Sequence, residues 1–110
     1  METVQLSGIL ASGRKWIVVE SRKKCIAPPL GDHFILQVAG AEEAAETPEE
    51  QTEIWGLAPQ LAQQLSPNGR WRIFLNGPSL MVRPHFHIHI VTVVDGVTPA
   101  RLTDPMVILP

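Results

Sequence analysis

A regular alternation of histidine with large apolar residues constrains this chain more than any other feature of its sequence. It occupies residues 84–91, which read PHFHIHIV. Successive side chains of a β-strand point to opposite faces of the sheet. A strand here therefore has one apolar face that belongs in a core, and one imidazole face formed by His85, His87 and His89. The pattern predicts a strand over residues 84–94.

The remaining sequence predicts further strands grouped around one helix. Thr47 and Glu50 form a capping box with Pro48 at the first helical position, and the apolar spacing extends this helix to Leu65. Apolar and β-branched runs predict four more strands, at residues 4–10, 16–19, 33–38 and 70–76. The proline-rich residues 28–32 predict an irregular connection before the third strand.

This order of elements indicates an α+β fold with an antiparallel β-sheet and one main helix. The length of 110 residues suits a single domain over residues 1–110, with its core at 15–94 and a tail at 95–110. Ten prolines in that length oppose a bundle of long helices. Because one helix covers only part of such a sheet, we expect a partner subunit to bury the rest, in a homodimer.

Charge and composition exclude several classes of protein. The formal net charge is -2, so no nucleic-acid polymer is expected as a partner. Cys25 is the single cysteine, which excludes an intrachain disulfide and favours a reducing compartment. No apolar run is long enough to cross a membrane, and the first ten residues do not resemble a secretory signal. These features predict a soluble, cytoplasmic protein without a membrane partner.

Acidic residues cluster just before and within the start of the predicted helix. We interpret this cluster as a solvated helix entrance, since acids stabilise the first helical turn, rather than as a docking patch or a cation site. Its members are Glu42, Glu43, Glu46, Glu49, Glu50 and Glu53.

Three histidines on one strand face suit two kinds of chemical site. Zinc can bind imidazoles at positions i and i+2, but a strand rises about 3.3 Å per residue, so His85 and His89 lie roughly 13 Å apart along the strand. A metal site would therefore use two of the three together with His33. A phosphate-ester site uses the spread instead, because imidazoles can attack phosphorus, donate to its oxygens and protonate a leaving group.

The sequence resembles the histidine triad family, whose signature is His-x-His-x-His followed by apolar residues. The match is carried by PHFHIHIV and by DHFILQV, which follows the proline-rich CIAPPLG and precedes the central helix. The strand RWRIFLNG then leads to the triad strand, in the order that the family uses. The resemblance covers residues 15–94, and all four histidines of the chain fall at family positions.

The resemblance implies a nucleotide phosphohydrolase or nucleotidyl transferase that needs no cofactor or metal. Its substrate would be a small nucleotide or phosphate ester: a nucleoside phosphoramidate, a dinucleotide or an adenylylated adduct. His87 would attack the α-phosphorus and form a covalent intermediate, while His85 and His89 would contact phosphate oxygens and assist the leaving group. His33 would support the triad, and Asn76 matches a polar position near the phosphate. Family members are commonly homodimers.

The chain departs from the family pattern just before the triad and at Cys25. Met81, Val82 and Arg83 stand where the family has a Gly-Gln pair and a small hydroxyl residue, and Cys25 aligns near an acid that holds the ribose. Arg83 could replace a phosphate donor or could simply face solvent. Two alternatives to the enzyme therefore stay open: a non-catalytic nucleotide- or phosphate-binding module, and a histidine-ligated metal protein.

Overall fold

The computed structural model describes residues 3–21, 30–41, 43–77 and 85–93. The described residues form five strands and one helix, in the order strand, strand, strand, helix, strand, strand. Their bounds are β1 (Thr3–Ile9), β2 (Lys15–Glu20), β3 (Leu30–Val38), α1 (Pro48–Leu65), β4 (Trp71–Phe74) and β5 (His87–Val93). The predicted tail lies outside the described residues.

The five strands form one antiparallel sheet in the order β1-β2-β3-β5-β4. The predicted α+β fold with an antiparallel sheet and one helix is therefore confirmed. The last strand, β5, inserts between β3 and β4, so both of its edges are hydrogen-bonded to a neighbour. Such a central strand holds its side chains more rigidly than an edge strand does. The described part of the chain contains no helix with the length and hydropathy needed to cross a membrane.

Helix α1 begins and ends where the sequence predicts. The Thr47 hydroxyl accepts from the backbone N–H of Glu50, and the Glu50 carboxylate accepts from the backbone N–H of Thr47, which completes the capping box. The buried apolar residues of the helix follow the predicted stripe; they are Ile54, Ala58, Leu61 and Ala62. This stripe packs on one face of β3, β4 and β5.

The core lies between α1 and the apolar face of the sheet. Strand register places Val18, Leu36 and Ile88 side by side, and all three are fully buried in the same cluster as Ile54. Because strand side chains alternate, the neighbours of Ile88 along β5 point to the opposite face. The position of α1 thus assigns His87 and His89 to the face of the sheet away from the helix.

The starts of two strands differ by three residues from the sequence-based prediction. β3 begins at Leu30, inside the segment predicted as irregular, and an extra residue between Leu30 and His33 makes a bulge against β5. The backbone N–H of Asp32 there donates to the Thr92 hydroxyl at 2.8 Å instead of to the ladder. Residues 30–32 can pair with a neighbouring strand because, unlike the two prolines before them in the sequence, they have backbone N–H groups. β5 begins at His87, so His85 lies in a bend before the strand.

The interpretation of the acidic cluster as wholly solvated is wrong for Glu50. This residue is buried, and its carboxylate accepts from the Ser12 hydroxyl at 2.6 Å and from Arg14 Nη1 at 3.2 Å. Arg14 also donates to the backbone carbonyls of Ala44 and Ala45. Glu50 therefore fastens the β1–β2 turn to the start of α1, a long-range contact that the local charge pattern did not reveal.

These contacts predict acid sensitivity that depends on Glu50. The Ser12 hydrogen bond, the Thr47 N–H and the Arg14 charge lower the pKa of Glu50 below its ordinary value of 4.5, although burial opposes them. A lowered folded-state pKa contributes stability that is present above the unfolded-state value and is lost as the pH falls through the folded-state pKa. We expect Glu50→Gln to be less stable than the wild type at neutral pH, and to lose less further stability below pH 4.5.

Thermal unfolding at neutral and acidic pH measures this difference. The exposed neighbour Glu49 provides the matched control, because Glu49→Gln makes the same charge change one residue away. Equal pH dependence of all three proteins would contradict the assignment to Glu50.

Candidate functional site

The histidine face of the sheet is assembled by the pairing of β5 with its two neighbours. His89 lies opposite Ile35 of β3 on one side and Phe74 of β4 on the other. His87 lies opposite Gln37, two residues further along β3. His33 is on the same face of β3 as these partners, since residues 33, 35 and 37 alternate with the core-facing ones. The register therefore brings His33, His87 and His89 to one face of the sheet.

His33 and His89 form a directly bonded pair. His33 Nε2 and His89 Nδ1 are 2.7 Å apart, and the two rings lie nearly in one plane, with centroids 5.0 Å apart and 14° between the ring planes. The Phe74 ring stacks on His89 with a centroid distance of 4.5 Å, nearly parallel to it. Only one proton can lie between the two nitrogens, so the pair cannot hold its bond when both rings are doubly protonated. His89 is thereby fixed in orientation by its bond to His33 and by the Phe74 ring.

The tautomer of the His87 ring follows from its hydrogen bond to a backbone carbonyl. Its Nδ1 lies 2.9 Å from the backbone carbonyl oxygen of His85. A carbonyl oxygen can only accept, so Nδ1 must carry the proton and donate it. In the neutral ring the lone pair then belongs to Nε2. The ring also makes an edge contact with His89, at a centroid distance of 4.9 Å, and is 4 % exposed.

His85 is the half-buried member of the group and lies at its outer end. Its Nε2 is 3.1 Å from the Gln37 side-chain oxygen, and its ring meets that of His87 edge-on with centroids 6.2 Å apart. Because the Gln37 oxygen accepts, His85 Nε2 donates to it. Successive imidazoles thus run from His85 through His87 and His89 to His33, with a polar or aromatic neighbour at each step.

Three neighbours of the histidines were not identified from the sequence. Gln37 is a polar residue on the same face as His33, four residues along a largely apolar strand, and this placement is a signal that could have revealed it. The stack of Phe74 on His89 depends on strand register and has no local signal. Glu46, counted among the solvated acids, accepts the backbone N–H of Phe86 through Oε1 at 2.9 Å.

The other residues predicted for the site are less closely placed. Asn76 is half-buried and lies two residues beyond the end of β4. Arg83, Met81, Val82 and Cys25 lie outside the described residues. Within residues 3–21, 30–41, 43–77 and 85–93, no three side chains of His, Cys, Asp or Glu form a group that could hold a metal ion.

Comparison with known proteins adds no further information about the site. No family model matches this sequence, and neither a curated protein nor a solved structure matches it.

Proposed function

We propose that this protein is a phosphohydrolase or nucleotidyl transferase of the histidine triad type, in which His87 becomes covalently attached to the α-phosphorus of a small nucleotide. The substrate class is a nucleoside phosphoramidate or a dinucleotide. We also propose that the chain belongs to the histidine triad family, which it resembles, and that it assembles as a homodimer.

The hydrogen bond from His87 Nδ1 to the His85 carbonyl is the observation that carries the proposal. An imidazole attacks through an unprotonated nitrogen, and this bond assigns the lone pair of the neutral ring to Nε2. The same bond is retained when Nε2 becomes bonded to phosphorus and the ring gains positive charge.

The reaction then consists of two displacements at phosphorus. In the first, the Nε2 lone pair of His87 forms an N–P bond, the bond from phosphorus to the leaving group breaks, and the leaving group departs with that electron pair and receives a proton. His85 and His89 are the adjacent groups suited to donate to phosphate oxygens and to supply this proton. In the second, the oxygen of water or of an acceptor hydroxyl forms a bond to phosphorus, and the N–P bond breaks with its electron pair returning to Nε2 of His87. The proton of the attacking group passes to the imidazole that gave up its proton in the first step.

The direct test is intact-protein mass spectrometry after rapid quench into base, since an N–P bond on histidine is acid-labile. The wild-type protein is mixed with a panel of nucleoside phosphoramidates and dinucleotides. We expect a mass increase of one nucleotidyl group on the wild type and none on His87→Ala, and the mass identifies the nucleotide accepted.

Two results would count against the enzyme. Substrate consumption at equal rates by wild type and His87→Ala would remove His87 as the nucleophile. If no adduct forms and no substrate is consumed, the proposal fails. Nucleotide binding by calorimetry in that case would identify a non-catalytic binding module.

A further inference from the structure

We infer that Glu46 is a positioning residue for His87, acting through the peptide group that joins His85 to Phe86. The Glu46 carboxylate accepts the N–H of this peptide at 2.9 Å, and the carbonyl of the same peptide accepts Nδ1–H of His87 at 2.9 Å. One peptide plane therefore links a carboxylate to an imidazole. The catalytic consequence of this link rests on the proposed function, whereas the link itself does not.

The two hydrogen bonds, from the peptide to Glu46 and from His87 to the peptide, strengthen each other. A carboxylate bound to a peptide N–H polarises that peptide, and the polarised carbonyl becomes a better acceptor. A better acceptor holds the His87 proton on Nδ1 and stabilises the positively charged ring. Glu46 thus does for His87 what a directly bonded carboxylate does for a catalytic histidine, but it acts through a main-chain group.

The loop that carries Glu46 is itself held in place. Arg14 donates to the carbonyls of Ala44 and Ala45, at 2.6 and 3.2 Å, immediately before Glu46. The second carboxylate oxygen of Glu46 is buried and has no hydrogen-bond partner among the described residues. The carboxylate is therefore directed at the peptide before β5 and does not extend into solvent.

The other titratable groups near His87 are histidines, and they contact it differently from Glu46. His85 and His89 flank it on its own chain segment, and His33 of β3 contacts His89. Gln37, opposite His87 on β3, does not titrate. Among the acidic side chains that the structure describes, Glu46 is the one bonded to the peptide that His87 uses.

NMR titration of the histidine rings tests this inference without any substrate. The variant Glu46→Gln keeps an oxygen that can accept the Phe86 N–H but removes the charge. We expect the His87 titration midpoint to fall in this variant, and its neutral ring to populate more of the Nε2–H tautomer, both visible in ring nitrogen shifts. Glu43→Gln is the matched control, because Glu43 is exposed on the same loop and the net charge changes equally.

A purely structural role gives a different result. In that case Glu46→Gln, which retains the acceptor, would leave the His87 midpoint and tautomer unchanged, and the inference would be wrong. If the variant does not fold, the wild type supplies the measurement: as Glu46 is protonated, the Phe86 amide and the His87 Nδ1 proton should shift together. Independent behaviour of these two signals would also overturn the inference.

Turnover provides a separate readout once a substrate is known. We expect kcat/KM of Glu46→Gln to fall by about tenfold or less, since a shift of one pKa unit corresponds to a factor of ten. The loss should be smaller at low pH than at high pH, because a lower His87 titration midpoint leaves a larger fraction of the variant's rings neutral and able to attack. Absence of any turnover by the wild type would refute the proposed function but would leave the NMR result intact.

Discussion

Replacing His87 with glycine is expected to reduce turnover by about 10⁴-fold or more, because the nucleophile is removed and the other side chains cannot supply the missing N–P bond. Exogenous imidazole should restore part of the activity, since it can occupy the vacated space and attack phosphorus in place of the ring. Steady-state kinetics with and without imidazole measure both effects. Circular dichroism confirms that the variant is folded.

The matched control for this prediction is His85→Gly. It removes an imidazole of the same face but keeps the main-chain carbonyl that accepts from His87. We expect a smaller loss, about 10²-fold, of the size typical for a proton donor, and no comparable rescue by imidazole. The mechanism is contradicted if the His87 variant retains wild-type turnover, or if His85 proves to be the residue whose loss imidazole repairs.

The second large effect concerns stability, and it centres on Ile54. This side chain is 0 % exposed and packs from α1 into the cluster that includes Leu36 and Ile88. Ile54→Ala removes buried methyl and methylene groups and leaves a cavity, so we expect a loss of about 3 kcal/mol. That is a large fraction of the total stability of a small domain, which is about 5–15 kcal/mol. Urea unfolding with an unchanged m-value measures it.

Trp55 gives the matched control in the same helix. Its side chain is larger but is 45 % exposed, so Trp55→Ala should destabilise far less than Ile54→Ala. If the two variants lose equal stability, α1 does not pack on the sheet through the Ile54 stripe. If neither loses stability, the apolar face of the sheet is not held by this helix.

The bounds of α1 were predictable because each signal lies within a few residues of the position that it determines. The Thr47–Glu50 capping box, Pro48 and the apolar stripe each act over one or two helical turns. The face of the triad strand was predictable for the same reason, since strand geometry alone places His87 and His89 on one side. The bulge before His33 was not, because it compensates for the pairing of β3 with a strand far along the chain.

The site shows the same division between local and long-range information. Local sequence was enough to predict that His87 and His89 share a face, where α1 begins and ends, and the α+β arrangement, because these depend on periodicity and capping. The position of β5 between β3 and β4 follows from the packing of the whole chain, and it stacks Phe74 on His89 and sets Gln37 beside His85. Glu46 reaches Phe86 across 40 residues of sequence. Such contacts depend on strand register and loop anchoring, which packing of the whole core selects and no short window encodes.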